Sequence, residues 1–378
     1  MSRIRENSRI DPRIRRVFGA FPAPVNPGDA VSREQLVEEA NSEDAEAMRQ
    51  RWDAFLERCD TEELAPSTGL AFATRKLASE PDGNIINMRF IRPGGNEPIP
   101  CVYYIHGGGM QSGSFLQGNY RAWGKIIAAR GVAIAMVDFR NALTPSSVPE
   151  IGPFPTGLND CVSGLKWVVA NAAELGIDAS RIIVAGDSGG GNLTLATGLK
   201  LLRDGDIGLV GGLYALCPYI AGRWPLAEYP SSTENNGILL ELHNNRGAMA
   251  YGIEELEAGN PLAWPGFAAI EDVKGLPATV ISVNECDPLR DEGIEFYRLL
   301  LAAGVPAQCR QVMGTIHATE IFPIAAPEVS RETARSIADF CRTGVSVMAP
   351  VEARYNSPLG ATLVTDCGIG HGADVRVG

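Results

Sequence analysis

The chain has 378 residues, 45% of them hydrophobic, and a formal net charge of −12, which is typical of a folded globular protein. The acidity argues against nucleic acid or an anionic membrane as a partner, because a surface that neutralises phosphates must be basic. No run reaches the roughly 18 apolar residues of a membrane span, and the arginine-rich N-terminus has no apolar segment of a signal peptide.

Cysteine usage gives an expectation about the compartment. Eight cysteines are scattered singly, without a C-x-x-C pair. This pattern is typical of free, buried thiols in a reducing cytosol and not of a disulfide framework or a zinc site. We therefore expect a cytoplasmic protein without a bound metal. The sequence does not determine the oligomeric state, and a homo-oligomer stays one of the alternatives.

The first 60 residues have two helical patterns, Arg9 to Val17 and Ser32 to Cys59, with a proline-rich segment between them. Apolar residues are sparse in the second pattern. It therefore predicts one buried stripe against another part of the protein and not an independent core. We interpret residues 1–60 as the N-terminal part of a cap.

From Ala71 onward, predicted strands alternate with predicted helices. The strands cover 71–77, 85–91, 99–105, 132–137, 181–185, 209–216, 278–283 and 307–313, and the helices 123–129, 158–171, 193–203, 293–303 and 330–342. This order predicts an α/β fold with a mostly parallel, doubly wound sheet flanked by helices. In such sheets ligands bind at the carboxyl ends of the strands.

One segment breaks this alternation. Residues 217–263 are rich in aromatic residues and turn formers, and predict a cap insertion packed over the sheet. Trp224 and Tyr229 in this insertion are candidates for lining a small pocket, although the core of the cap itself is the favoured role. The α/β core is then predicted to be divided into residues 61–216 and 264–345, and the structure of the tail, residues 346–378, stays open.

A glycine-flanked serine follows the strand at 181–185. The segment Gly186-Asp187-Ser188-Gly189-Gly190 leads into the helical pattern from Leu193. Strand, G-x-S-x-G and helix in this order are typical of a nucleophile elbow, in which a tight turn exposes a reactive serine. A glycine-rich helix entry of some other α/β protein is the alternative for this motif taken alone.

A serine nucleophile needs a base, and that base needs an orienting carboxylate. In hydrolases with this elbow, the acid and then the histidine follow the serine along the chain. His317, after the strand at 307–313, is the predicted base. The other histidines are excluded because they precede the serine, lie in the insertion or lie in the tail: His106, His243 and His371.

The predicted acid is Asp287, which follows the strand at 278–283 in a loop just before Pro288. Glu285 is its main rival. Asp291 and Glu292 are predicted to lie in the first turn of the next helix, where a negative charge is favourable.

A second glycine-rich loop, His106-Gly107-Gly108-Gly109, follows the strand at 99–105. Backbone N–H groups that bind a developing oxyanion contribute about 3 kcal/mol each. We predict the N–H groups of Gly108, Gly109 and Gly189 as these donors, with His106 supporting the loop. A phosphate-binding loop is the alternative, but it lacks the G-K-[ST] ending and the G-x-G-x-x-G pattern.

Together, the His106–Gly109 loop, the Gly186–Gly190 motif, the stretch Asp287–Glu292 and His317 resemble the hormone-sensitive-lipase family of bacterial esterases, in its G-D-S-A-G-like branch. Residues 137–142 are similar to a subgroup that includes brefeldin A esterase. The resemblance covers residues 70–342. It implies an α/β-hydrolase core under a mostly helical cap, which hydrolyses small, short-chain carboxylic esters without a cofactor.

Two departures from the family and two functional alternatives remain. Gly189 stands where the branch usually has alanine, and residues 143–155 replace the family's usual continuation after Asp138. We therefore expect Asp138 and Arg140 to hold loops and not to contact substrate. An amidase or peptidase would use the same triad, and an inactive binding protein of this fold would be expected to have lost a triad member.

Overall fold

A computed structural model describes residues 3–343. Its centre is one eight-stranded sheet in the order β1-β2-β4-β3-β5-β6-β7-β8. The strands are β1 (Leu70–Ala78), β2 (Ile85–Pro93), β3 (Ile99–Ile105), β4 (Ala133–Asp138), β5 (Ile177–Asp187), β6 (Gly212–Leu216), β7 (Thr279–Cys286) and β8 (Ala307–Ile316). β2 pairs antiparallel with both of its neighbours, β1 and β4, and all the other pairings are parallel, so the predicted mostly parallel sheet is confirmed.

Helices cover both faces of the sheet. They are α1 (Arg3–Glu6), α2 (Pro12–Phe18), α3 (Arg33–Ala40), α4 (Glu43–Leu56), α5 (Gly118–Ala128), α6 (Thr156–Ala170), α7 (Ala172–Leu175), α8 (Gly189–Asp204), α9 (Ser231–Glu234), α10 (Arg246–Tyr251), α11 (Ile253–Glu257), α12 (Ile270–Val273), α13 (Arg290–Ala302) and α14 (Pro327–Thr343). α5 and α14 pack together on one face, and α6 and α8 on the other. This double cover explains why every residue of β4 is buried.

Some element limits differ from the prediction, each for a local reason. The predicted helix at 32–59 is broken into α3 and α4, because Ser42 accepts a hydrogen bond from Ala45 N–H and starts a new helix. The predicted strand at 209–216 begins only at Gly212, since Ile207–Leu209 form a 3₁₀ helix. β8 runs to Ile316, three residues further than predicted, so that His317 directly follows the strand.

The N-terminal helices and the insertion belong to the same compact unit as the sheet. Between β6 and β7 the chain forms four short helices, α9 to α12. The predicted limits of the cap, 1–60 and 217–263, stay predictions, and the predicted tail from residue 346 lies outside the described residues. None of the helices within 3–343 has both the length and the apolar character needed to cross a membrane.

Candidate active site

Ser188 lies at the turn between β5 and α8. Its backbone has φ 55° and ψ −117°, a conformation that a residue with a side chain rarely adopts unless its surroundings enforce it. Two hydrogen bonds do so here: Ser188 N–H donates to Leu216 O at 2.9 Å, and Ser188 O accepts from Tyr219 N–H at 3.1 Å. The chain therefore has the strand, turn and helix of a nucleophile elbow.

The predicted base and acid lie in line with this serine. His317 Nε2 is 2.8 Å from Ser188 Oγ, and His317 Nδ1 is 2.7 Å from Asp287 Oδ2. Asp287 follows β7 and is fully buried, and His317 follows β8 and is 4% exposed. The rival acid, Glu285, accepts instead from Gly314 N–H at 2.7 Å. The structure thus brings Ser188, His317 and Asp287 into one hydrogen-bonded chain.

Opposing effects act on the pKa of His317. Burial lowers this pKa, but the charge and hydrogen bond of Asp287 raise it, and Asp187 and Glu320 add to that effect. The net pKa is above its ordinary value. An imidazole that binds a proton more readily is better suited to take one from a serine hydroxyl.

A buried side chain of the insertion holds the loop that carries Asp287. Asn235 Nδ2 donates to Glu285 O at 3.3 Å and to Asp287 O at 3.1 Å. Leu289 N–H donates to Asp287 Oδ1 at 2.9 Å. Asn235 was not a predicted site residue, because no motif distinguishes it within the insertion.

The loop that carries His317 has its own support. Ala318, the next residue, has φ 55°, which is uncommon for a residue other than glycine. Its N–H donates to Asn284 Oδ1 at 3.2 Å, while Asn284 Nδ2 donates to both oxygens of the buried Glu320 carboxylate at 3.0 and 3.1 Å. Burial raises the pKa of Glu320. The sequence analysis did not single out Asn284 or Glu320.

The loop of residues 106–110, here called the oxyanion loop, lies beside the elbow. Gly108 and Gly109 have φ 101° and 63°, a region that favours glycine. Among the described residues, no acceptor is bound by the N–H groups of Gly108, Gly109 or Gly189. A methyl group on Gly189 would lie 2.8 Å from Gly109 N and 2.5 Å from Met110 N. The loop therefore packs directly against the residue after the serine.

His106 is enclosed at the start of the oxyanion loop. Its ring stacks on Phe139 with the centroids 4.3 Å apart, Nδ1 lies 2.8 Å from Gly107 O, and Nε2 lies 3.4 Å from Asp138 Oδ1. These contacts are those of a loop support.

Asp138 and Arg140 hold neighbouring loops. Asp138 accepts hydrogen bonds from Ser114 Oγ and from Phe115 and Ser147 N–H at 2.7–3.1 Å. Arg140 pairs with Asp82 and Asp160, whose carboxyl oxygens lie 2.6 and 2.7 Å from its guanidinium. Both residues thus make the loop contacts that were expected of them.

Trp224 and Tyr229, the candidate pocket residues, make contacts typical of a core. Trp224 stacks on Tyr219 with the centroids 4.6 Å apart and donates from Nε1 to Glu292 Oε2 at 2.7 Å. Tyr229 is half-buried and packs on the same hydrophobic core. A pocket role for either residue stays a prediction.

Glu292 does more than the sequence indicated. A favourable charge near a helix N-terminus was expected, but this side chain is 2% exposed and accepts from Ile220 N–H at 2.7 Å and Ala221 N–H at 3.1 Å, besides Trp224. The signal for a buried role was the place of Glu292 in the family-like motif Asp287–Glu292, because a solvent-exposed helix residue would not need to belong to such a motif.

Cys217, Asp287 and His317 form a group of potential metal ligands within residues 3–343, with their ligand atoms within 4.8 Å of one another. Burial raises the pKa of the Cys217 thiol well above its ordinary value, and metals bind the thiolate. Asp287 and His317 already bind each other. The group therefore does not fit a resident metal ion.

Comparisons with known proteins agree with this geometry. A family described as alpha/beta hydrolase fold matches residues 102–321. Carboxylesterase NlhH of Mycobacterium tuberculosis is 35% identical over 64% of this chain and 72% of its own length.

Solved structures are similar over a longer range. Esterase Est22, whose structure has also been solved with p-nitrophenol, is 66% identical over 90% of this chain and 100% of its own, with a TM-score of 0.88. Brefeldin A esterase, described as a bacterial homologue of human hormone-sensitive lipase, is 33% identical over 91% of this chain and 96% of its own, with a TM-score of 0.78. All three relatives are named as esterases.

Proposed function

This chain belongs to the α/β-hydrolase fold family, in the hormone-sensitive-lipase-like group of serine ester hydrolases, and we propose that it cleaves short-chain carboxylic esters through a Ser188 acyl-enzyme. The observation that carries the proposal is the hydrogen-bonded chain from Ser188 Oγ through His317 to Asp287. No cofactor is needed for this chemistry.

In the proposed acylation, Ser188 Oγ attacks the ester carbonyl carbon while His317 Nε2 takes the hydroxyl proton. Asp287 holds the proton on Nδ1, which leaves Nε2 as the acceptor, and stabilises the imidazolium that forms. His317 then gives the proton to the leaving alkoxide. An alcohol departs and an ester of Ser188 remains.

Charge on the former carbonyl oxygen is proposed to be held by the N–H groups of Gly108, Gly109 and Gly189. They support this role because they bind no other acceptor in the described chain, and Gly189 opens α8, whose N-terminus favours negative charge. In deacylation, His317 takes a proton from water, which attacks the acyl-enzyme, and returns it to Ser188.

The substrate class is the finer part of the proposal. Short acyl chains follow from the family resemblance, and the Est22 structure with p-nitrophenol supports aryl esters as convenient substrates. A cytoplasmic location is proposed from the cysteines, since the seven in residues 3–343 are free thiols.

The test compares wild type with Ser188→Ala on p-nitrophenyl esters from acetate to dodecanoate and on the matching p-nitroanilide. We expect turnover of the short esters, no comparable anilide turnover, and a loss of at least about 10⁴-fold in kcat for Ser188→Ala. Retained activity in Ser188→Ala would overturn the mechanism. Efficient cleavage of the anilide would change the assigned activity from esterase to amidase. A preference for dodecanoate would overturn the short-chain assignment.

A further inference from the structure

A buried polar network lies behind the elbow and has no part in the proposed proton transfers. Asp187, the residue before Ser188, is 1% exposed. Its Oδ1 accepts from the Tyr104 hydroxyl at 2.8 Å, and its Oδ2 accepts from the Tyr120 hydroxyl at 3.0 Å. Tyr104 lies on β3, Tyr120 on α5 and Asp187 at the end of β5. The carboxyl group thus joins three elements below the active site.

The two tyrosines differ in what else they contact. Tyr120 Oη also accepts a hydrogen bond from Gly107 N–H at 2.7 Å. An ionised carboxylate only accepts hydrogen bonds, so the Tyr120 hydroxyl donates its hydrogen bond to Asp187 and its lone pairs accept from Gly107 N–H. Burial raises the pKa of Asp187, and the two tyrosine hydroxyls oppose that shift by stabilising the ionised form. The two hydrogen bonds are therefore donated in the same direction, from Gly107 N–H to Tyr120 Oη and from the Tyr120 hydroxyl to Asp187.

The contact between this network and the oxyanion loop is close. A methyl group on Gly107 would lie 2.5 Å from Asp187 Oδ2 and 2.9 Å from Tyr120 Oη. Gly107 is the residue before Gly108, so holding its N–H fixes the backbone that leads into the two predicted oxyanion donors. The same carboxyl group belongs to the residue before the nucleophile.

We propose that Tyr120 is a positioning residue that aligns the oxyanion loop with Ser188. Its hydroxyl bridges the Gly107 N–H group and the Asp187 carboxylate, and so fixes the N–H groups of Gly108 and Gly109 relative to the reacting carbonyl. This inference rests on the proposed oxyanion role of those glycines. A displacement of donors by about 1 Å is sufficient to lower a rate about 100-fold.

The experiment compares Tyr120→Phe with the matched control Tyr104→Phe. Each variant removes one tyrosine hydroxyl that donates a hydrogen bond to Asp187, but only Tyr120→Phe also removes the acceptor of the Gly107 N–H. For each protein, kcat and KM are measured with p-nitrophenyl acetate. Inhibition constants are measured for a trifluoromethyl ketone, which forms a tetrahedral oxyanion adduct with the serine, and for the matching methyl ketone, which reports ground-state binding and an intact site.

We expect Tyr120→Phe to lower kcat by about 10- to 100-fold with KM little changed. Its inhibition constant should rise by a similar factor for the trifluoromethyl ketone and stay near wild type for the methyl ketone. Tyr104→Phe should retain wild-type values within about threefold, since it leaves the loop contact intact.

Equal behaviour of the two variants, or a parallel loss of methyl ketone binding in Tyr120→Phe, would overturn the positioning role. Ser188→Ala in the same assay separates this outcome from failure of the proposed function. If Ser188→Ala is inactive while Tyr120→Phe is normal, only the positioning role is wrong. Activity in Ser188→Ala would mean that the acyl-enzyme mechanism itself is wrong.

Discussion

The methyl group that Gly189 lacks would occupy the space in which the backbone of Gly109 and Met110 lies. A residue without a side chain at this position would by itself be expected to leave a looser turn. The structure has the opposite arrangement, because the oxyanion loop lies so close to Gly189 that a Cβ atom cannot fit without moving backbone. Alanine, which the family branch usually carries here, is therefore unsuitable for this chain.

We predict that Gly189→Ala lowers kcat by about 10- to 100-fold, because the loop must shift away from Ser188 and displace the N–H groups proposed as oxyanion donors. Steady-state kinetics with p-nitrophenyl acetate measures the effect. Gly208→Ala is the control, since a methyl group on Gly208 would have no neighbour within 4 Å. A Gly189→Ala enzyme with wild-type kcat would show that the loop adapts without loss.

The sequence analysis singled out the three residues that the structure joins in one hydrogen-bonded chain, but not the residues that hold their loops. Ser188, Asp287 and His317 stand next to strand ends in a fixed order, which a linear sequence displays. Asn235 and Tyr120 make hydrogen bonds between segments that are far apart in the chain. Nothing in their local sequence distinguishes such contacts from ordinary packing.

At the scale of elements, the N-terminal turn of α13 is bound to the start of the insertion. The Glu292 carboxyl group accepts hydrogen bonds from two backbone N–H groups and from Trp224 Nε1. Burial is the largest effect on its pKa and raises it from 4.5 to about 8 against those bonds. A raised pKa in an acid means that folding favours the protonated form, so this contribution to stability is complete below pH 4.5 and is lost as the pH rises through about 8.

We predict that the double variant Glu292→Gln, Trp224→Phe has a flatter dependence of unfolding free energy on pH than wild type between pH 4.5 and 8. Glutamine does not titrate. The phenylalanine at position 224 removes the indole N–H donor, which would otherwise face the NH₂ group of the new glutamine. The pKa difference corresponds to at most about 5 kcal/mol. Urea unfolding at several pH values measures it, with the Trp224→Phe single variant as control. Parallel pH curves for the single and double variants would contradict a titrating Glu292.

The sheet was predictable at this scale, while the limits of its elements were less so. Buried parallel strands such as β4 are continuous apolar runs, which the sequence displays directly. The limits depend on local hydrogen bonds: Ser42 caps α4 within a segment that reads as one helical pattern. β8 continues through Gly314 to Ile316 because it pairs with β7 up to Cys286.

Across the whole molecule, the N-terminal segment is joined to the loops of the triad. Arg9 pairs with Glu234, and its Nη2 donates to Asn235 Oδ1 at 2.9 Å. Asp11 N–H donates to Gly314 O, also at 2.9 Å, in the stretch that precedes His317. Because Asn235 in turn donates to the carbonyl oxygen of Asp287, α2 and the loop before it support the candidate active site.

We predict that Arg9→Ala lowers kcat by about two- to fivefold and destabilises the fold by about 1 kcal/mol or less, since the lost ion pair is partly exposed. Kinetics and thermal unfolding on the full chain measure both effects. Arg16→Ala is the control, because Arg16 is exposed and its side chain makes no hydrogen bond or ion pair to residues 3–343. Identical kinetics of the two variants would mean that the contacts of the N-terminal segment do not affect catalysis.

The close approach at Gly189 also has an evolutionary consequence. Alanine at this position and the present place of the loop exclude each other, because the methyl group would need the space that the backbone of Gly109 and Met110 occupies. The two segments are therefore epistatic, and the order of substitutions matters: changes in the loop have to precede a change from glycine to alanine at position 189. Transplanting the motif of a relative into this chain one residue at a time would pass through a poorly active intermediate.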